Sequence, residues 1–151
     1  MSASARLGQL GVALPQVAAP LASYVPAVRT GNLVYTSGQL PMEAGSLART
    51  GKVGAEVSPE EGKALARICA LNALAAVDSL VGIDGVTGVV KVVGFVASAP
   101  GFNGQPSVVN GASDLLAQVF GDQGAHARSA VGVAELPLDA PVEVELIVEV
   151  G

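Results

Sequence analysis

Two short segments near the carboxyl end hold the side chains most capable of chemistry, His126-Ala127-Arg128-Ser129-Ala130 and Val142-Glu143-Val144-Glu145. Arg128 is a permanently charged guanidinium inside a run of small and apolar residues, so it must be paired with an anion or solvated. A guanidinium suits a bidentate clamp on a ligand carboxylate. The competing fate is a structural ion pair with one of the 13 acidic residues, and by spacing alone that is the commoner outcome. Glu143, Glu145 and Glu149 alternate with Val and Leu, which puts all three carboxylates on one face of a strand. Periodicity alone favours a solvated acidic face. The sharper reading is a general acid/base acting on water, helped by two neighbouring carboxylates that raise each other's proton affinity.

The other polar residues offer less. His126 is the only histidine; it is read either as a proton shuttle or as a hydrogen-bonded surface residue. Cys69 is the only cysteine, so no internal disulfide forms, and its apolar helical setting suits an inert core thiol. With no second histidine and no cysteine pair, no metal site is expected. Gly45 to Val53 is one residue too long for a phosphate loop and has no Ser or Thr after its lysine. No Gly-x-Gly-x-x-Gly occurs, and no cofactor is expected. Thr36, Ser37 and Ser129 have no paired base in sequence.

The elements that must position these residues are mainly aliphatic. Half of the 151 residues are hydrophobic, only 3% are aromatic and tryptophan is absent, so Val, Leu, Ile and Ala build the core. The length fits one domain, taken as residues 1–151 with 1–23 as an N-terminal extension. Mean hydropathy is +0.53, yet no run approaches the roughly 18 apolar residues of a membrane span. The surplus apolar surface therefore points to burial between subunits. A net charge of −5 with scattered Lys and Arg disfavours a nucleic-acid surface. Met1 to Arg6 does not read as a secretory signal, which points to the cytoplasm.

Residues 24–29 and 33–37 read as a hairpin around Thr30-Gly31-Asn32. Ser58-Pro59-Glu60-Glu61 is a capping box opening a helix to about Leu80. Residues 88–97 are a β-branched run suited to a strand buried on both faces. A second helix spans 106–120, and strands cover 127–135 and 142–150. Residues 42–57 read as a loop with one short strand near Gly51–Val57. This order predicts an α+β fold, one mixed sheet of five or six strands with two helices on one face and the other face bare. The short 136–141 connection, taken locally, suggests a hairpin between the last two strands.

Four segments together resemble one family: Tyr24 with its hairpin, Val34-Tyr35-Thr36-Ser37-Gly38-Gln39-Leu40-Pro41, Val109-Asn110-Gly111, and Ala127-Arg128-Ser129 followed by Glu143-Val144-Glu145. On these the chain is similar to the RidA (YjgF) family, also called L-PSP endoribonuclease-like, over about residues 22–150. It looks closest to a longer branch with a His-Ala-Arg-Ser-Ala-Val-Gly segment. The resemblance implies a chorismate-mutase-like fold, with strand 88–97 between the last two strands, and a homotrimer with sites between subunits. It implies hydrolysis of enamine and imine intermediates made by pyridoxal-phosphate enzymes. Arg128 would hold the small-molecule carboxylate and Glu143 would position water. Tyr24, Ser37, Gly38, Asn110 and Ala130 would line the cleft, Ala130 standing where the family commonly has cysteine. The alternatives are a non-catalytic trimeric binder or sensor of small carboxylates and, disfavoured by charge and few aromatics, an endoribonuclease.

Overall fold

The computed structural model describes all 151 residues. A short helix α1 (Ala3–Gln9) leads through an irregular segment into β1 (Ala27–Thr30) and β2 (Leu33–Thr36). A small ribbon follows, β3 (Met42–Glu43) with β4 (Ser46–Leu47), then helix α2 (Pro59–Val81), β5 (Val86–Ala97), helix α3 (Gln105–Phe120), β6 (Ala127–Val133) and β7 (Val142–Val150). The main sheet is mixed, in the order β1-β2-β7-β5-β6. Strands β5 and β6 run parallel, joined by α3 as the crossover, and the other neighbouring pairs are antiparallel.

The expected elements are present, with three corrections. Strand β5 is buried on one face and not on both: Val89, Val92 and Val96 are buried, while Val90 is 40% exposed. No strand forms over Gly51–Val57: Val53 makes only isolated bridges to Val57 and Ser98, and the added strands are the ribbon at 42–47. The 136–141 connection is not a hairpin turn, because β5 lies between β6 and β7. Two strand spacings are about 10 Å, well within the reach of the residues linking β6 to β7. Leu138 and Asp139, both at φ 60°, turn the chain there.

Helix α2 starts as its sequence dictates. The Ser58 hydroxyl accepts from the Glu61 N–H at 3.1 Å, and the Glu61 carboxylate accepts from the Ser58 N–H at 3.3 Å. The helix is long and apolar enough to cross a membrane by length and composition, although no unbroken apolar run reaches that length. Here it is the central core helix, with Ala66, Cys69, Ala70, Ala73, Leu74 and Val77 fully buried.

Both long helices lie on one sheet face. They cover Val142, Val144, Leu146, Val148 and Val150 of β7, together with Val34, Val92 and Val96. Gly111 lets the helices meet closely, since a Cβ there would run into the Lys63 carbonyl of α2. The opposite sheet face carries rows of cross-strand neighbours, Val28-Tyr35-Ile147-Lys91-Ala127, Glu145-Val93-Ser129 and Glu143-Phe95-Val131. No element covers it: Val28, Tyr35 and Val131 are 53%, 43% and 45% exposed. Part of the apolar surplus in the composition therefore lies on this face.

Candidate functional site

Strand β6 is an edge strand, and the parallel pairing of Arg128 with Val92 turns the Arg128 side chain toward the helix face. There it lies along α3. Its Nη1 donates to Asn110 Oδ1 at 2.7 Å and to Ser113 Oγ at 3.2 Å, and its Nη2 donates to the Pro106 carbonyl at 3.1 Å. Positions 106, 110 and 113 are four and three residues apart, the spacing that lines up one face of a helix. All three acceptors are neutral. The ion pairs, Arg49–Glu61, Lys52–Glu135 and Lys63–Asp114, do not include Arg128. A structural salt bridge, the commoner expectation, is thus not what holds this residue. Of five guanidinium donors, three are taken by these acceptors, and the Nε–H and one Nη2–H make no hydrogen bond within the chain, which leaves two donors for a ligand carboxylate.

Glu143 lies elsewhere. It sits at the start of β7 on the uncovered sheet face, with Glu145 and Glu149 in line as the alternation predicts. It lines an open hollow of about 510 Å³ with Tyr24, Ser37, Gly38, Leu21, Ala22, Leu40 and Pro137. Burial raises the carboxyl's proton affinity above that of an ordinary glutamate, and the neighbouring Glu145 charge raises it further. Gly38 makes room for it: a Cβ at that position would come within 2.8 Å of the Glu143 carboxyl carbon. The Ser37 hydroxyl donates to the Val25 carbonyl, tying the strand end to the segment that carries Tyr24, whose hydroxyl accepts from the Leu21 N–H at 3.1 Å.

The expected residues therefore fall into two groups. Tyr24, Ser37, Gly38 and Glu143 share the hollow. Arg128 and Asn110 are bonded to each other on the far side of the sheet, and Ala130 lies partly buried two residues along β6. Arg128 is level with Leu146 through Val92, three residues from Glu143 and two strands away. That puts their Cα atoms roughly 14 Å apart, with side chains on opposite faces. One chain cannot close these two groups on one small molecule.

Ser113 was not anticipated, although its place three residues after Asn110 was a readable signal. His126, expected as a shuttle or a surface residue, bonds Ser113 and the Gly124 carbonyl. Cys69 is fully buried, near the Val142 carbonyl, and burial pushes its thiol well above the ordinary range. It is a core residue, as its surroundings suggested.

Residues 15–150 match the model of the Endoribonuclease L-PSP family. Among solved structures, the protein Atu1372 from Agrobacterium tumefaciens, of unknown function, is 48% identical over 99% of this chain and 92% of its own, with a TM-score of 0.91. A putative endoribonuclease from Shewanella oneidensis MR-1 is 32% identical over 99% of this chain and all of its own, with a TM-score of 0.96. The YjgF gene product of E. coli is 28% identical over 89% of this chain and 98% of its own, with a TM-score of 0.63.

Proposed function

The chain belongs to the endoribonuclease L-PSP (YjgF) family, with its chorismate-mutase-like fold, and from that membership we propose that it hydrolyses reactive enamine and imine intermediates of the 2-aminoacrylate type to a keto acid and ammonia. The observation that carries this reading is the guanidinium of Arg128, held by three neutral acceptors with two of its donors unclaimed. An arginine kept for stability alone would be better served by a carboxylate.

The chemistry asks little of the site. The enamine accepts a proton at its terminal carbon and becomes an iminium; water adds to the iminium carbon, the C–N bond breaks and ammonia leaves. The net change is addition of one water and loss of one ammonia. Arg128 fixes the substrate carboxylate. Glu143, its proton affinity raised by burial, gives the carbon its proton and, once ionised, draws a proton from the incoming water. Such intermediates hydrolyse unaided, so modest rate enhancement suffices. Ala130 contributes no thiol, so the reaction has no covalent cysteine step. Small carboxylates made by pyridoxal-phosphate enzymes are the natural substrate source, with the cytoplasm as the setting.

Because Arg128 and Glu143 lie on opposite sheet faces, the working site forms between copies of the chain, each lending one group. The uncovered sheet face, with Val28, Tyr35 and Val131 exposed, supports contact between copies, and family membership makes a homotrimer the assembly proposed. RNA cleavage is the poorer reading: the chain carries −5 net charge, and its basic residues stand singly.

The test is an assay in which a pyridoxal-phosphate serine/threonine dehydratase generates 2-aminoacrylate. The protein should speed its conversion to pyruvate, and Arg128→Ala should abolish the effect. Turnover equal in wild type and Arg128→Ala overturns the assigned role. Carboxylate binding without turnover leaves a binder or sensor in its place.

A further inference from the structure

We propose that Ser113 and His126 are positioning residues for Arg128, forming a one-directional hydrogen-bond relay that fixes the inner edge of the guanidinium and leaves its outer edge to a carboxylate. The proposal rests on the reading of Arg128 as the carboxylate clamp and deepens it. The Gly124 carbonyl only accepts, so His126 Nδ1, 2.6 Å away, carries a proton. A guanidinium only donates, so Ser113 Oγ accepts from Arg128 Nη1. The Ser113 hydroxyl proton is then free to point at His126 Nε2, 2.8 Å away, which accepts it in the neutral ring. Every proton in the series Arg128–Ser113–His126–Gly124 thus has one consistent direction. A doubly protonated ring would break it: two cationic donors would converge on one hydroxyl.

The relay joins the middle of α3, which carries Ser113, to the segment Gly124–Arg128, which runs from the turn after α3 into β6. A long, flexible arginine on an edge strand loses much rotamer freedom when it binds a ligand. Holding it beforehand removes that cost from binding. Asn110 and Pro106 hold the same side chain, but His126 is the member whose alternatives can be told apart by chemistry. Asparagine puts a donor where Nδ1 sits and loses the Nε2 acceptor. Glutamine reaches the Nε2 position and offers an acceptor there. A ring needed only for packing predicts equal loss from both.

The test uses the full chain, labelled with ¹⁵N, whose single histidine gives one set of ring signals. Without ligand, the long-range ¹H–¹⁵N spectrum should show Nδ1 protonated and Nε2 bare; an Nε2-protonated neutral ring overturns the relay. Pyruvate is then titrated as the carboxylate probe. In the wild type the Nε2 signal should move with binding, and in Ser113→Ala it should not. Ser113→Ala and His126→Asn should bind pyruvate about three- to tenfold more weakly, the scale of one hydrogen bond's net contribution, while His126→Gln stays near wild type. Wild-type affinity in both weakened variants, or equal loss in Asn and Gln, overturns the proposal. Should His126→Asn fail to fold, Ser113→Ala carries the same decision. Nδ1–H tautomer with no pyruvate binding by the wild type supports the relay and removes the carboxylate reading, so the two failures are distinguishable.

Discussion

The cationic and the anionic halves of the proposed site are held in different ways. Arg128 is fixed by hydrogen bonds to α3 and hangs from a regular strand. Glu143 has no side-chain hydrogen bond; it stands in a half-buried hollow walled partly by the irregular segment at Leu21–Tyr24. The first arrangement sets a direction, which a clamp needs. The second changes a proton affinity, which an acid/base group needs. A change to the α3 side should therefore act on binding, and a change to the hollow should act on turnover.

Arg128→Ala should break the comparison most severely, with kcat/KM falling about 100-fold or more, chiefly through KM, from removal of a charge-assisted pair of hydrogen bonds. Arg128→Lys keeps the charge but not the fork and should recover less than about tenfold of that loss; steady-state kinetics with dehydratase-generated 2-aminoacrylate would show it. Gly38→Ala comes next. Its Cβ displaces the Glu143 carboxyl, so kcat should fall about tenfold with KM nearly unchanged, the mark of a misplaced acid/base group rather than a lost clamp. Gly111→Ala forces α3 away from α2 at the Lys63 carbonyl. It should lower Tm by about 3–8 °C and raise KM more than it lowers kcat, because Asn110 and Ser113 move with the helix.

The smallest effect is Glu143→Gln on stability. Burial raises the Glu143 pKa, so the folded state holds its proton more tightly than the unfolded chain. That contribution is fully present below the ordinary glutamate range and is lost as pH rises through the raised value. At pH 7 the ionised side chain therefore costs stability, and Glu143→Gln should raise Tm by about 1–2 °C. The gain should vanish near pH 4; thermal melts at the two pH values check the sign.

Much of this division was legible in the residues. The capping box at Ser58–Glu61 and the alternation of Val142–Val150 predicted helix and strand, and alternation placed Glu143 on the face away from the core. The position of β5 between β6 and β7 came from family resemblance; the local signal at 136–141 pointed to a hairpin, since connection length sets an upper limit on reach and not a partner. The partners of Arg128 were not legible. They depend on which face of an edge strand meets α3, a product of the parallel β5–β6 register. Ser113 lacked meaning until that register was known, and the apolar span of α2 was hidden because Lys63, Arg67 and Asn72 interrupt it.

The central claim is that Arg128 of one copy and Glu143 of another complete one site, and complementation tests it most directly. Arg128→Ala and Glu143→Gln, each inactive alone, are unfolded, mixed in equal amounts and refolded together. If the groups come from different copies, random mixing in a trimer restores intact pairs at about one quarter of the sites, and dehydratase-coupled turnover should return to about a quarter of that of wild type refolded the same way. Turnover that stays at the level of the single variants, while refolded wild type recovers, would contradict it.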